Sequence, residues 1–322
     1  MAGTDDVAAV VVNYNVRDHL LACVRSLRDE GVSDVVVVDN DSRDGSGAAL
    51  AAADPDARFI AAGANLGFGT AANRGVVATD ASRVLILNPD TVVEPGCVKA
   101  LLAALESDDG LAAVGPRVDN PDGTRYPSVR RFPDLGVAAG HAFLGLVRPG
   151  NRFTRRYRML DHEPDRAGDV DWVSGTCMLV RRSAFEAVGG FDEAYFMYVE
   201  DVDLCWRLQQ VGWRVGYEPK ARVVHTVGAS SERAPYRMIA AHHRSLLRFA
   251  VRSTTGARRL VLPFVAVGLA VRTVLAWAQR AWRGVPHAMV TAPRRRLSMP
   301  FRRLHRPGRR TRGRSGSRAR VR

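Results

Sequence analysis

The chain has 322 residues, 46% of them hydrophobic and 25% charged, which excludes a chain without a hydrophobic core and suits one large α/β domain with an appendage. Its charge is unevenly divided: residues 1–232 hold all 33 acidic residues and 24 basic ones, a net −9, whereas the last 90 residues hold 23 arginines and no acid. The acidic body suits cation chemistry, and the basic tail suits an anionic surface, either a membrane or a nucleic acid.

Short apolar runs alternate with helical patterns in the first third of the chain. The predicted strands are Val7–Val12, Val35–Val38, Ala57–Ala61, Val84–Leu87 and Leu111–Val114, and the predicted helices are Val16–Glu30 and one with Pro95 in its first turn that runs to about Leu105. This order predicts a buried, mostly parallel sheet with helices on both faces. Because ligands bind beyond the carboxyl ends of such strands, Asn13, Asp39 and Asp90 fall at the predicted binding edge.

The alternation of apolar strands and helices weakens between Pro116 and Asp169, which predicts a long excursion of the chain that lies over the predicted binding edge. Strand character returns at Val170–Arg181, and Trp213–Tyr217 and Arg222–His225 are predicted to be short edge strands. The first six residues lack a basic or apolar signal region, so we expect no secretion. Four cysteines without a C-x-x-C pair are expected to be buried free thiols in a reducing compartment.

The C-terminal region is helical and then extremely basic. A helix is predicted at Ala240–Val251, with a break near Gly256, and Leu260–Ala278 is nearly long enough to span a bilayer. Because Arg272 would be costly at the membrane centre, two alternatives stay open: a helix lying in the membrane interface, or a core helix. Residues 294–322 contain 13 arginines and are predicted to be disordered and to bind anionic phospholipid headgroups; nucleic acid is not expected. The predicted domains are therefore 1–232, 233–293 and 294–322.

A carboxylate pair, Glu200 and Asp201, stands where a loop enters a predicted helix. A helix N-terminus favours the charged form of a carboxylate, and a carboxylate kept ionised near a pocket can act as a general base. The alternative is an acidic first turn that only caps the helix. The residues of this segment alone leave the two interpretations equal.

Three further segments contain polar or glycine-rich groups at strand ends. Asp39 follows four valines, and Asn65 opens a G-x-G-x-x-A run containing Gly67, which lets the backbone approach a diphosphate. The same run imitates a dinucleotide-binding fingerprint, so an oxidoreductase is an alternative, although the run follows the third strand and not the first. Asn88-Pro89-Asp90 offers oxygen ligands for Mg²⁺ or Mn²⁺.

These motifs resemble, as an ordered set, the inverting family 2 glycosyltransferases of GT-A fold. The motifs are Asp39 with Asp44-Gly45-Ser46, Asn65-Leu66-Gly67-Phe68-Gly69, Asn88-Pro89-Asp90, Gly175-Thr176-Cys177-Met178, Gly190-Phe191-Asp192-Glu193 and Glu200-Asp201-Val202-Asp203-Leu204-Cys205-Trp206-Arg207. The resemblance covers roughly residues 7 to 230 and is strongest to bacterial rhamnosyltransferases. It implies an α/β GT-A fold with a C-terminal helical, basic, membrane-associating extension.

The resemblance also implies residue roles. Asp39 and Asn13 would bind the nucleotide, and Asn65, Gly67 and Asn88 would line the nucleotide-sugar site. Asp90 and His225 would bind the metal. Asp201 would be the general base with Glu200 beside it, Arg207 would pair with the carboxylates or with phosphate, and Trp172 and Gly175 would border the acceptor. Asn88 replaces the first Asp of the family's D-x-D motif, which bears on metal dependence. A lone histidine such as His225 would otherwise be interpreted as structural.

The reaction implied is transfer of L-rhamnose from dTDP-L-rhamnose to a polyprenyl-diphosphate-linked N-acetylglucosamine in cell-wall polysaccharide assembly, with Mg²⁺ or Mn²⁺. Such a displacement needs one base and one cation, whereas a glycoside hydrolase needs two facing carboxylates. Alternatives are another hexosyl or galactofuranosyl transfer, and a non-catalytic membrane scaffold. The expected location is peripheral, at the cytoplasmic face of the plasma membrane.

Overall fold

The structure is a computed structural model that describes residues 6–132, 148, 150, 165–226 and 235–284, without the side chains of 282–284. The strands are β1 (Val7–Asn13), β2 (Asp34–Asp39), β3 (Arg58–Ala61), β4 (Arg83–Leu87), β5 (Thr91–Val93), β6 (Leu111–Asp119), β7 (Arg125–Tyr126), β8 (Val129–Arg130), β9 (Gly168–Asp169), β10 (Trp172–Val173), β11 (Cys177–Arg181) and β12 (Arg214–His225). The helices are α1 (Arg17–Asp29), α2 (Ser46–Ala53), α3 (Phe68–Val77), α4 (Cys97–Glu106), α5 (Arg182–Ala187), α6 (Glu200–Gln210), α7 (Pro235–Ser253) and α8 (Leu262–Gly284).

One mixed sheet organises the molecule, with the strand order β3-β2-β1-β4-β11-β6-β12-β5. The first four strands in this order are parallel, and β11 is antiparallel to both of its neighbours. Alternate residues of the valine-rich strands enter two separate cores, for example Val36 on one face and Val37 on the other. Burial on both faces explains why these strands are apolar throughout.

Four details differ from the sequence-based expectations. The two predicted edge strands are one strand, β12, which lies inside the sheet between β6 and β5. Its register with β6 shifts between Glu218 and Arg222, and the sequence of this irregular stretch reads as the end of a strand. Strand β6 continues to Asp119, so the excursion does not begin at Pro116. Strand character at Val170–Arg181 is interrupted by a turn between β10 and β11. Pro95 precedes the first turn of α4, because Gly96 takes the N-cap position in a left-handed conformation.

The cysteines agree with the sequence-based expectation. All four, Cys23, Cys97, Cys177 and Cys205, are buried free thiols. Burial is the first cause that raises the pKa of each thiol, and it brings the pKa of Cys97 and Cys205 to about 12. These groups are therefore unreactive core residues, and they take no part in the chemistry below.

The C-terminal helices differ in burial. Residues Met1–Arg280 form one compact unit, in which α7 packs through the buried ring of Phe249 against Trp206 and Phe132. In contrast, α8 leaves Phe264 78% and Val267 65% exposed. The apolar stretch within Gly256–Ala281 is long enough to cross a membrane, and no residue of its most apolar window is fully buried, which does not support the core-helix alternative.

Some predictions fall on residues outside the described ranges. Ala281–Arg322 form a second unit, of which only the end of α8 is described. Most of the excursion and all of the predicted tail, 294–322, lie outside the described residues, as does the predicted domain boundary at 232.

Candidate active site

The carboxylate pair forms the first turn of α6. Asp201 Oδ2 accepts a hydrogen bond from the N–H of Gly175 at 2.9 Å, and Oδ1 accepts one from the N–H of Val202 at 2.8 Å. Glu200 is only 6% exposed, and its Oε2 meets no hydrogen-bond partner within the described part of the chain. Two carboxylates in adjacent positions therefore have different surroundings, one held by backbone donors and one buried.

The pKa of Glu200 lies well above its usual range, because burial disfavours the charged form and the Asp201 carboxylate repels a second charge. Burial also raises the pKa of Asp201, but the N–H groups of Gly175 and Val202 and the positive charge of Arg130 oppose that rise. Backbone donors and the charge of Arg130 favour the charged form of Asp201, which makes it the candidate proton acceptor of the pair.

The loop before the pair is strained. Tyr198 and Val199 both adopt left-handed backbone angles, with φ of 65° and 70°, although neither is a glycine. Each such residue costs on the order of 1–3 kcal/mol, which the surrounding structure has to offset. One anchor comes from α7, where the Ser245 hydroxyl donates to the carbonyl of Met197 at 3.0 Å. Sequence reasoning missed this turn because its residue types give no signal for a left-handed conformation.

A glycine loop meets the same segment from the other side. The N–H of Phe68 donates to the carbonyl oxygen of Phe196 at 3.1 Å. Gly67 has φ +84°, and a Cβ atom there would lie 2.0 Å from that oxygen, so no other residue fits. Asn65 accepts from the N–H of Gly67 through its side-chain oxygen at 3.1 Å. The two predicted residues therefore shape the loop and its contact with the start of α6.

Asn40 fixes the glycine loop and was missed by sequence reasoning. Its side-chain nitrogen donates to the carbonyl of Gly67 at 3.0 Å, and its side-chain oxygen accepts from the N–H of Leu66 at 3.3 Å. The residue is buried. Its position directly after Asp39, at the end of β2, is the signal that could have identified it.

The predicted nucleotide residues are in contact. Asn13 and Asp39 are register partners across β1 and β2, and the side-chain nitrogen of Asn13 donates to Asp39 Oδ1 at 2.7 Å. Asp39 Oδ2 accepts from the N–H of Ser42 at 2.8 Å. The oxygen of the Asn13 amide is buried and has no partner among the described residues. An orphaned acceptor at the carboxyl edge of a parallel sheet suits a ligand that donates an N–H or O–H.

The predicted metal residues also lie together. Asp90 follows β4, His225 ends β12, and their Oδ1 and Nε2 atoms are 3.1 Å apart, with both residues 6% exposed. The second ring nitrogen of His225 is buried without a partner in the described ranges. Those ranges contain no cluster of three or more His, Cys, Asp or Glu placed to hold a metal. One carboxylate and one imidazole fit a divalent cation that completes its coordination with phosphate oxygens and water.

Backbone hydrogen bonds connect the metal residues to the carboxylate pair. The N–H of Asn88 and the hydroxyl of Thr91 both donate to the carbonyl of Thr176, at 3.0 and 3.3 Å. Thr176 follows Gly175, whose N–H binds Asp201. Gly175 therefore lies in the turn before β11, and not in a strand as its sequence suggested. The segment that carries Asp90 is therefore linked by hydrogen bonds to the turn that holds Asp201.

Two other predicted residues have structural surroundings. Trp172 is buried, its indole N–H donates to the carbonyl of Arg131 at 3.1 Å, and the guanidinium of Arg130 lies 5.2 Å from its ring centroid. Arg207 pairs with Asp203 at 2.7 Å. Arg207 therefore pairs with a carboxylate inside the protein, which leaves it unsuited to binding a phosphate. The role of Trp172 at the acceptor stays a prediction.

Comparisons with known proteins agree with this geometry. Residues 8–189 match the family model described as "Glycosyl transferase family 2". The chain is 42% identical over 287 residues to N-acetylglucosaminyl-diphospho-decaprenol L-rhamnosyltransferase of Mycobacterium tuberculosis, which covers 84% of this chain and 93% of that protein. It is 33% identical over 147 residues to rhamnosyltransferase WbbL of Escherichia coli, 45% of this chain and 53% of that protein.

Among solved structures, the fold is similar to mannosyltransferase PcManGT from Pyrobaculum calidifontis in complex with GDP-Man and Mn²⁺. The TM-score is 0.55 with 16% identity, and the match covers 88% of this chain and 81% of that one. This likeness concerns the fold alone.

Proposed function

This chain belongs to glycosyl transferase family 2, and on that premise we propose that it transfers L-rhamnose from dTDP-L-rhamnose to N-acetylglucosaminyl-diphospho-polyprenol, with inversion at the anomeric carbon. The observation that carries the proposal is the 42% identity, over 84% of the chain, to an enzyme whose name states this donor sugar and acceptor class. The carboxylate pair Glu200–Asp201 and the contact between Asn13 and Asp39 at the carboxyl edge of the sheet support it.

The chemistry follows from the proton positions. Asp201 removes the proton of the acceptor hydroxyl, whose oxygen attacks the anomeric carbon as the bond to the dTDP leaving group breaks. Glu200 holds its proton and so lowers the negative charge next to Asp201. A divalent cation, Mg²⁺ or Mn²⁺, held by Asp90 and His225 would supply positive charge for the departing diphosphate.

The donor would bind along the strand edge. Asp39 and Asn13 would bind the nucleotide, because the orphaned Asn13 oxygen can accept from a nucleobase N–H. Asn65 and Gly67 would let the backbone approach the sugar diphosphate, and Asn88 would line the same pocket. Trp172 and Gly175 would border the acceptor, since Gly175 binds the proposed base directly.

A lipid-linked acceptor explains the C-terminal region. The exposed apolar side chains of α8 and the 23 arginines after residue 232 suit a membrane surface with anionic headgroups. We therefore place the protein peripherally at the cytoplasmic face of the plasma membrane, with no nucleic-acid partner. Residues 1–232 would be the transferase domain, 233–293 the membrane-associating segment and 294–322 a basic tail.

The test is transfer from a panel of nucleotide sugars to a lipid-linked N-acetylglucosamine diphosphate, in Mg²⁺ or Mn²⁺. We expect rhamnose transfer from the dTDP donor, and a loss of about 10²–10⁴-fold in kcat for Asp201→Asn with dTDP binding unchanged. Transfer of galactofuranose or another hexose instead would replace the donor assignment. No transfer from any donor would favour the scaffold alternative and overturn the proposal.

A further inference from the structure

A cavity of about 420 Å³ lies between α7 and α8. Its wall includes two arginines, two histidines and a tyrosine together with apolar side chains. The polar lining residues are Tyr198, His242, His243, Arg272 and Arg280. None of the described lining residues is acidic, and the whole chain after Glu232 has no Asp or Glu. The cavity is therefore suited to an anion.

The wall of the cavity includes a residue of the loop that precedes the carboxylate pair. The ring of Tyr198, two residues before Glu200, contacts the imidazole of His242 edge-on, with centroids 5.2 Å apart. Burial first, and then the positive charges of His243, Arg130 and Arg272, lower the pKa of His242 to about 4. The charge of Arg130 acts on Asp201 as well. Tyr198 thus joins the cavity to the loop that leads into the proposed base.

The two helices are held in place by specific contacts. The Thr273 hydroxyl hydrogen-bonds His243 Nδ1 at 3.0 Å, and the Trp277 indole donates to the carbonyl of Tyr236 at 3.1 Å. On α8 the cavity residues Arg272, Ala276 and Arg280 follow each other at intervals of four and share one face. A second set of residues on the same helix is apolar and exposed: Phe264, Val267, Val271 and Val274.

We propose that the cavity between α7 and α8 binds the diphosphate of the lipid-linked acceptor through Arg272 and Arg280, while the exposed apolar face of α8 accompanies the isoprenoid chain. The inference rests on the proposed function and makes α7 and α8 a part of the acceptor site. In the acceptor, an anionic diphosphate is followed by an apolar isoprenoid chain. In the protein, a cavity with two arginines is followed along α8 by an exposed apolar face. Guanidinium groups suit phosphate because they donate two parallel hydrogen bonds.

The first test is binding and needs no transfer reaction. Farnesyl diphosphate is titrated into the full-length protein in the presence of saturating dTDP, so that the donor pocket is filled. We expect the wild type to bind and Arg272→Gln/Arg280→Gln to bind about tenfold more weakly or worse. The matched control is Arg244→Gln, an exposed arginine of α7 that lines a different cavity and should bind as the wild type does. Arg272→Lys/Arg280→Lys should recover part of the affinity.

The second test is kinetic. In the double Gln variant, KM for the diphosphate-linked acceptor should rise about tenfold or more, whereas KM for dTDP-rhamnose and transfer to an alkyl N-acetylglucosaminide should not change. Farnesyl diphosphate binding that the double variant retains, or that Arg244→Gln weakens equally, would overturn the inference. Absence of transfer by the wild type would overturn the proposed function instead, and the binding titration separates the two failures.

Discussion

Glu200 is a carboxyl group whose pKa is raised by burial and by the charge of its neighbour Asp201. It is buried beside Asp201, and both causes, burial and repulsion, favour its neutral form. Because its pKa is raised above the usual value of 4.5, the folded protein holds this proton more tightly than the unfolded chain. The stability that protonated Glu200 contributes to the folded protein is complete below about pH 4.5. This contribution is lost as the pH rises through the pKa that Glu200 has in the folded protein.

Glu200→Gln should therefore stabilise the protein at neutral and alkaline pH. Gln has nearly the same shape and cannot ionise, so its Tm should equal that of the wild type near pH 5 and exceed it increasingly up to pH 9. Each kcal/mol of relief corresponds to roughly 2–4 °C. The measurement is thermal unfolding across this pH range. A Tm difference that does not change with pH would contradict the raised pKa of Glu200. If Glu200→Gln lost rhamnose transfer as fully as Asp201→Asn does, Glu200 would be the base.

The Asp203–Arg207 pair is the clearest case of charge used for structure. Arg207 also donates to the carbonyls of Val188 and Gly190, and Asp203 accepts from the Tyr195 hydroxyl at 3.2 Å. Because the partner charge would be left buried, Arg207→Ala should reduce the free energy of unfolding by about 3–5 kcal/mol in a urea titration. The exposed Arg244→Ala should change it by less than about 0.5 kcal/mol. Equal effects in the two variants would be inconsistent with this role.

At the scale of elements, the active site depends on the contact between the glycine loop that precedes α3 and the turn that begins α6. Gly67 lies so close to the carbonyl of Phe196 that a Cβ atom at this position would lie 2.0 Å from that oxygen. The left-handed turn at Tyr198 and Val199 is therefore held from the glycine loop on one side and from α7, through Ser245, on the other.

Gly67→Ala should displace this turn and with it Asp201. A misplacement of about 1 Å costs about 100-fold in rate, so we expect a loss of that order in kcat. The matched control is Gly63→Ala, since Gly63 also has a positive φ, +77°, but a Cβ atom there meets nothing within 4 Å. It should lose only about 1–2 kcal/mol of stability from the backbone conformation and keep its kcat. Similar kcat values for both variants would show that the contact does not position Asp201.

At the scale of the whole molecule, charge is divided along the chain. Residues 1–232 carry a net −9, and the 90 residues that follow carry 23 arginines and include the exposed apolar helix α8. Each arginine near an anionic bilayer contributes about 1 kcal/mol, and salt weakens that attraction.

Deleting residues 285–322 removes 13 arginines and should lower partition onto phosphatidylserine vesicles by about tenfold or more. Cosedimentation at low and high NaCl checks this. Binding of the full chain should fall as salt is added, and phosphatidylcholine vesicles serve as the control without charge. The truncated protein should keep its transfer to a soluble acceptor analogue. Unchanged partition after the deletion would assign membrane binding to α8 alone.

The sequence by itself determined the α/β fold of GT-A type, the family and the buried thiols, because strand periodicity and ordered motifs are local in the chain. It also predicted which polar residues gather at the strand ends, and the contacts Asn13–Asp39 and Asp90–His225 agree. Their catalytic roles remain predictions.

Only the tertiary structure decided the features that depend on distant segments. These are the placement of β12 inside the sheet, the antiparallel β11, the role of Asn40, and the cavity between α7 and α8. The left-handed turn at Tyr198 and Val199 belongs to the same group, since it is held by contacts with Phe68 and Ser245. Such contacts join residues far apart in sequence, so neither propensity nor spacing encodes them.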